Sequence, residues 1–544
     1  MGYLKKNVGP KHIPQSEPLD DRQVPNNAGG FVYKLDPWKQ LDRFLITGTE
    51  GGTYYVKERK LTKENLDGVK ACLKEDGVRV VDRAVEISDA GRALKNDTAL
   101  LIMALASLSE DPATKNAAYA NMHRVARTGM HLFTFADLRK ELEGGWGRGM
   151  KNAISNWFTK KNADKVAFQT AKYQQREGWS MRDLLRLAHP IAPTPEHQAV
   201  FHWITKGEFT QETIPRIIYG MELAKKAEDV KEIVKLVEEY KLPREMIPTE
   251  YLNKPEVQEV MLPNMPPTAL IRNLGNLTRS GLVKPLSAAS KLVIAKLEDK
   301  EYIKQGRVHP ISVLVALNTY KTGHGFKGKG EWVPVPAVID ALDTAFYAAF
   351  GNIEPCGKNM LLAFDVSGSM GSNVNGVENL SCRTASAVMA MATIRSEKTE
   401  NVHSVMFSSG SGRNSGWGRQ HAVSPFDISA KQRLDTVVRN MDRADFGGTD
   451  CSLPMLYATK NKLDVEAFVV YTDSETWAGE VHPMQALKEY RKKFNPKARL
   501  VVVGMASNGF SIADPNDVGT MDIVGFDTAA PQVISQFVSG NLSS

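Results

Sequence analysis

The period of the hydrophobic pattern changes once along this chain, near residue 356, and that switch limits the fold more than any other feature. Before it, apolar residues recur every three or four positions in segment after segment: 65–73, 78–90, 97–108, 113–126, 135–142 and 150–157, then 196–204, 214–240, 255–262, 269–274, 286–297, 310–320 and 336–350. Such spacing lines one face of a helix. Turn and cap signals at Asp76-Gly77, Asn96-Asp97 and Asp111-Pro112 separate the early segments. Almost no alternating strand pattern precedes residue 350. A dozen or more short helices in succession do not make a four-helix bundle. They predict helix pairs stacked side by side as an α-solenoid, although no clean repeat marks the units.

After Cys356-Gly357-Lys358-Asn359 the pattern is different. Residues 360–366 (MLLAFDV) form a nearly continuous apolar run, the signature of a strand buried on both faces. Further strand-like runs at 402–407, 467–471, 500–505 and 522–526 alternate with amphipathic helical segments at 382–396, 430–441, 453–461, 483–494 and 531–538. This alternation predicts an α/β doubly wound, mostly parallel sheet. The expected division is therefore residues 1–355, helical, and residues 356–544, α/β.

Composition narrows the class of function. The chain has 544 residues and a net charge of +7. Residues 356–544 carry 18 Lys and Arg against 19 Asp and Glu, a net of −1, so all the excess positive charge lies in residues 1–355. That asymmetry points to a nucleic-acid partner for the helical part. The longest apolar stretch, 98–108, is too short to span a bilayer, and the opening MGYLKKNVGPKH has no apolar core of a secretory signal. Lys6 argues against myristoylation. The four cysteines, Cys72, Cys356, Cys382 and Cys451, are too scattered for a disulfide framework or a structural zinc site, so a reducing intracellular compartment is expected.

Ligands of open α/β sheets bind at the carboxyl ends of the strands. The first strand runs into Asp365-Val366-Ser367-Gly368-Ser369, three oxygen side chains at alternate positions. The strand at 467–471 runs into Asp473, on the same edge. Between them, Gly447-Gly448 precedes Thr449 at a helix start. Asp365, Ser367, Ser369, Thr449 and Asp473 are hard oxygen donors suited to Mg2+, or Mn2+, in a site that keeps waters. Zinc would want His or Cys.

In the helical part, Lys172 and Arg176 are four apart, as are Arg182 and Arg186, and His189 follows. Read as helices, each pair shares a face. Lys160, Lys161, Lys165 and the glycine-rich loop 144–151 lie upstream. Spacing alone fits a phosphate-contacting surface and equally a solvated face paired with Asp164, Glu177 and Asp183. Trp146, Trp157, Trp179 and Trp203 read as core anchors. The 321–329 loop is no phosphate-binding Walker loop, because Gly330 and not Ser or Thr follows Lys329. No nucleophile elbow, zincin helix, kinase set or dinucleotide fingerprint occurs, so no enzyme is expected.

The pattern DxSxS…T…D resembles the metal-ion-dependent adhesion site of von Willebrand factor A domains. Arg43-Phe44-Leu45 with Gly48, then Gly51-Gly52-Thr53-Tyr54-Tyr55, Gly147-Arg148-Gly149 through Trp157, and Gln175-Arg176-Glu177-Gly178-Trp179 through His189-Pro190 resemble the TROVE module. Together they make the chain similar to the Ro ribonucleoprotein family. The resemblance implies HEAT-like helical repeats closed into a ring, followed by the von Willebrand factor A domain. It implies binding of small noncoding Y RNAs on the ring's outer surface and of misfolded noncoding RNAs whose single-stranded 3′ ends enter the hole. It also implies a coordination position for an acidic protein ligand at the metal, and a monomer in the cytoplasm with a nuclear fraction. On that resemblance Lys172, Arg176 and His189 become RNA contacts, with Arg182 and Arg186 beside them. Two other readings stay open: an adaptor working through the A domain, and a metal-dependent hydrolase at Asp365 and Asp473.

Overall fold

The structure is a computed structural model that describes residues 12–48, 58–176, 178–325, 330–351, 353–374, 380–397, 399–409, 422–443 and 447–541. Gly51 to Tyr55, Glu177 and residues 326–329, all singled out above, lie outside the described residues. The chain divides into two compact units: Lys70–Gly351, and Met1–Val69 together with Asn352–Ser544. This corrects the expected boundary, because the first 69 residues belong with the α/β unit and not with the helices.

In the helical unit the sequence signals act as local chemistry requires. The helix Glu58–Ala90 is interrupted at Asp76, whose φ of −153° and ψ of 85° are not helical. Gly77 permits the close packing there, since a Cβ would lie 2.1 Å from the Thr114 hydroxyl. Helix Pro112–Val125 begins with proline and is capped by the Asp111 carboxylate. The periodic stretch 214–240 is two helices, Arg216–Ala224 and Val230–Tyr240, because Asp229 caps a fresh start. Helices stack on near neighbours: Pro112–Val125 on Arg148–Thr159, that helix on Met181–Ala188, and Ala163–Lys172 on both Pro195–Lys206 and Arg216–Ala224. This is solenoid-like packing. Gly91, just beyond the helix ending at Ala90, lies against Arg307, where a Cβ would meet the arginine Cβ at 3.2 Å. Early and late parts of the array are thus in contact. Among the described residues no helix is long and apolar enough to cross a membrane.

The other unit is built on a six-stranded sheet in the order Thr520–Val524, Arg499–Gly504, Ala467–Thr472, Met360–Asp365, Val402–Phe407, Val423–Pro425. All pairs are parallel except the last. Met360–Asp365 and Ala467–Thr472 are buried at every residue, as continuous apolar runs predict for central parallel strands. Leu361, Ala363, Phe468, Val470, Leu500 and Val502 share one core.

The hydrophobic pattern does not announce a second, three-stranded sheet. Gln23–Pro25 pairs with Phe31–Lys34, which pairs with Phe510–Ser511. These strands are too short to show alternation, and their partner lies at the far end of the chain. Helix Pro37–Thr47 follows, and its Arg43 is 1% exposed. The Arg43 guanidinium bonds Asp522 at 2.6 Å and donates to the side-chain oxygen of Asn508 at 2.7 Å and the Phe510 carbonyl at 3.1 Å.

Candidate metal centre and nucleic-acid interface

The sheet order fixes where the metal candidates meet. Met360–Asp365 lies between Val402–Phe407, the next strand in sequence, and Ala467–Thr472. Connections leave the first strand to opposite sides, and the crevice at that switch opens at the strand ends. Asp365 ends one of these strands and Asp473 follows the other. One Asp365 oxygen accepts from the Ser367 amide at 2.9 Å, the other from the Thr472 hydroxyl at 2.6 Å. Ser367 and Ser369 hydroxyls are 3.1 Å apart, and Ser369 hydrogen-bonds the Asp473 carboxylate. The glycine loop docks beside them: the Gly447 carbonyl accepts from the Gly368 amide at 3.2 Å, and the Thr449 carbonyl accepts from the Trp477 and Ala478 amides.

Asp365, Ser367, Ser369, Thr449 and Asp473 are all buried, none more than 4% exposed. Burial holds the Asp365 carboxyl above its ordinary range. Burial first, then the charges of Asp365 and Glu475, does the same to Asp473. Neither carboxylate is ion-paired among the described residues. The Thr449 hydroxyl is buried and has no hydrogen-bond partner among the described residues. Two buried carboxylates with no ion pair among the described residues, beside an orphaned hydroxyl, are what a hard cation would satisfy, so these residues fit Mg2+ or Mn2+. Among the described residues no three His, Cys, Asp or Glu side chains converge as metal ligands, so such a site rests on hydroxyls as much as on carboxylates. Burial pushes the neighbouring Cys382 thiol up to about 12 and the Cys451 thiol well above the ordinary thiol range, which keeps both out of a thiolate role.

Glu475, two residues past Asp473, is occupied otherwise. It accepts from the Asn27 amide at 2.9 Å, the Asn27 side chain at 2.8 Å and the Ala28 amide at 3.1 Å. Burial nonetheless raises it to about 7. Gln15 donates to Asp450 at 2.8 Å and also hydrogen-bonds the Thr476 hydroxyl. The Asn508 side chain donates to the Asp473 carbonyl at 2.6 Å. The N-terminal segment therefore braces the loops around the metal candidates. Sequence reasoning missed Gln15, Asn27, Arg43 and Asn508 as supports, and no local signal marks them.

The cationic residues differ from expectation in one respect. Helix Ala163–Lys172 ends at Lys172, and Arg176 lies on a two-residue strand whose partner is Trp179–Ser180. The pair does not share a helix face, because Tyr173, with φ of −122° and ψ of 69°, leaves the helix, and Gly178, with φ of 72°, then turns the chain back. Lys172 approaches Glu245 at 3.4 Å and lies over the Phe168 and Tyr173 rings. Arg176 is exposed. Helix Met181–Ala188 starts at a capping box in which Ser180 and Asp183 satisfy each other, so Asp183 serves the cap. Arg182 and Arg186 share the solvent face of this helix, and exposed His189 ends it in the left-handed region. The Arg182 Nε donates to the Ile204 carbonyl at 3.1 Å. Trp157 and Trp203 are core residues as expected, but Trp146 and Trp179 are only half-buried and pack on each other at 5.5 Å.

Comparison with known proteins covers both units. A family model described as the TROVE domain matches residues 24–241 and 238–319, and one described as the Ro60 vWA domain matches residues 359–538. The chain is 39% identical to the RNA-binding protein RO60 of Deinococcus radiodurans over the full length of both. It is 33% identical to the RNA-binding protein RO60 of Caenorhabditis elegans, covering 98% of this chain and 92% of that protein. The crystal structure of the Deinococcus radiodurans RO (RSR) protein superposes with a TM-score of 0.69 at 38% identity, covering 93% of this chain and all of the other.

Proposed function

Since this chain belongs to the Ro60 family of RNA-binding proteins, we propose that it is the protein of a ribonucleoprotein particle, holding small noncoding Y RNA on the outside of its helical array and capturing misfolded noncoding RNA by a single-stranded 3′ end. The observation that carries this reading is the run of exposed cations on the hairpin and helix at Arg176, Arg182, Arg186 and His189, inside the TROVE match. Side chains fixed at a hairpin and along one helix face contact phosphates and duplex shape without reading base sequence. The protein acts by binding and carries out no reaction of its own. Mg2+ bound by Asp365, Ser367, Ser369, Thr449 and Asp473 would supply a coordination position for an acidic group of a protein partner.

The test is RNA binding across a salt series. Wild-type protein should bind a stem with a single-stranded 3′ tail, and binding should weaken steeply as salt rises. Lys172→Ala with Arg176→Ala should lower affinity and flatten the log–log salt slope by about 2, one for each phosphate no longer neutralised. Salt-insensitive binding, or a double variant indistinguishable from wild type, overturns the placement of the RNA face.

A further inference from the structure

An indole N–H usually finds an acceptor when it is buried. Three of the five tryptophans in the helical unit do so: Trp157 donates to the Ala126 carbonyl at 2.5 Å, Trp203 to the Glu222 carboxylate at 3.3 Å and Trp332 to the Tyr320 carbonyl at 2.8 Å. Trp146 and Trp179 do not. Both are half-buried, and their rings pack on each other at 5.5 Å with the planes tilted by 51°. Neither N–H has an acceptor among the described residues, and neither is a buried orphan, so both reach solvent.

Each of the two stands directly before a helix N-cap, Trp146 before Gly147 and Trp179 before Ser180. A large apolar residue there often staples onto the fourth residue of the helix. For Trp179 that position holds buried Leu184, but for Trp146 it holds Lys151, which is exposed. A staple therefore accounts for one ring and not for the other, and Trp179 is the one ring that Trp146 packs on among the described residues. The surroundings are open. A Cβ built at Gly145 or Gly147 in one loop, or at Gly178 in the other, would meet nothing within 4 Å. Cations flank the pair. Arg148 and Lys151 are exposed, and Arg176 lies directly opposite Trp179 on the hairpin, on the same face. Arg176 donates one nitrogen to the Gln175 carbonyl at 2.7 Å and is otherwise exposed.

We propose that Trp146 and Trp179 seat one unpaired base of the bound RNA. The proposal rests on the RNA-binding reading above. The base lies against the uncovered indole surface, an indole N–H donates to one of its acceptors, and Arg176 takes the adjoining phosphate. Every base has a π face, so such a seat accepts any sequence. It does require a base out of its pair, because a duplex keeps its base faces stacked inside. The seat thereby selects for unpaired RNA on a face whose cations alone would hold duplex and single strand alike.

The decisive variant is Trp146→Leu, which keeps an apolar side chain and removes the ring. Its affinity for the tailed RNA should fall on the order of 10-fold. The salt slope should stay unchanged, because no phosphate contact is lost. Affinity for a blunt duplex of the same stem should match wild type, and Trp146→Phe should restore most of the affinity for the tailed RNA. Saturating tailed RNA should quench tryptophan emission in wild type but not in a variant carrying both Trp146→Phe and Trp179→Phe, a signal that a merely structural role would not produce. If Trp146→Leu binds tailed RNA like wild type, loses as much on the blunt duplex, or flattens the salt slope, the seat is refuted while the RNA-binding reading stands. Should Trp146→Leu lower the melting temperature, the emission measurement decides: a quench absent in wild type, or one that survives in the double phenylalanine variant, refutes the seat. If wild-type protein binds no RNA, both readings fall together.

Discussion

Around the proposed metal site every candidate ligand is buried and the loops that carry them are braced by residues from distant parts of the chain, whereas Arg176, Arg182, Arg186 and His189 of the helical unit stand in water along one short stretch. Asp473 is steadied through Asn508, which Arg43 holds in turn. Arg176 is placed by a two-residue hairpin and His189 by the end of its own helix. The first design gives rigid geometry that fails as a whole when a remote support is removed. The second gives separate charges, each removable at little structural cost. The contrast predicts large, coupled effects in the α/β unit and small, additive ones on the RNA face.

The largest effect is expected from Arg43→Met. Asp522, 4% exposed at its side chain, would be left without its partner, and breaking a buried pair on one side costs about 3–5 kcal/mol. Chemical denaturation of the full chain should show that loss in the transition of the α/β unit. Mn2+ affinity should fall with it, since Asn508 is then deprived of one support. Unchanged stability would mean that the N-terminal segment is dispensable to the fold of this unit.

Asp365→Ala comes next. It removes a candidate ligand outright, so the drop in Mg2+ or Mn2+ affinity should exceed about 100-fold, the upper range for losing an indirect support. Calorimetry or Mn2+ resonance reads this directly. RNA affinity should stay within about twofold, because the cationic face belongs to the other unit. A large loss of RNA binding would show that the two regions are energetically coupled.

A smaller effect follows from pH. Burial raises Asp365 and Asp473 in the folded protein above the unfolded carboxylate value of about 4. The folded state then binds more protons than the unfolded one over that interval, so stability without metal should fall as pH rises from about 4 through neutrality. Saturating Mg2+ should reverse the trend, because the ion takes the place of the protons. Melting temperatures in chelator and in Mg2+, measured across pH, should diverge upward from the acid end. Parallel curves would separate these carboxylates from any cation.

The same contrast explains what was legible in the sequence. Strand-end motifs survive translation into structure because a parallel sheet can place Asp365 and Asp473 in only one crevice. The break at Asp76-Gly77 and the cap at Asp111 were equally readable, since both depend on neighbouring residues alone. Asn27 gripping Glu475 was not, because contacts across most of the chain leave no periodic trace. Nor was the hairpin that holds Arg176: the four-residue spacing is genuine, but the helix ends at Lys172, where Tyr173 leaves helical geometry, and Gly178 then turns the chain.

The finest distinction lies within the RNA face, between two arginines of one helix. Arg182 spends its Nε on the Ile204 carbonyl and ties helix Met181–Ala188 to helix Pro195–Lys206, whereas Arg186 is exposed in the last turn, where a cation also complements the helix dipole. Arg182→Ala should therefore cost about 1 kcal/mol of stability for the missing hydrogen bond and lower RNA affinity less than Arg186→Ala does. Arg186→Ala should leave the melting temperature nearly unchanged and flatten the salt slope by about 1. Measuring both quantities for both variants distinguishes a positioning arginine from a phosphate contact on the same face. The reverse assignment would mean that RNA approaches from the side of Ile204, and that the hairpin at Arg176 lies at the edge of the interface instead of its centre.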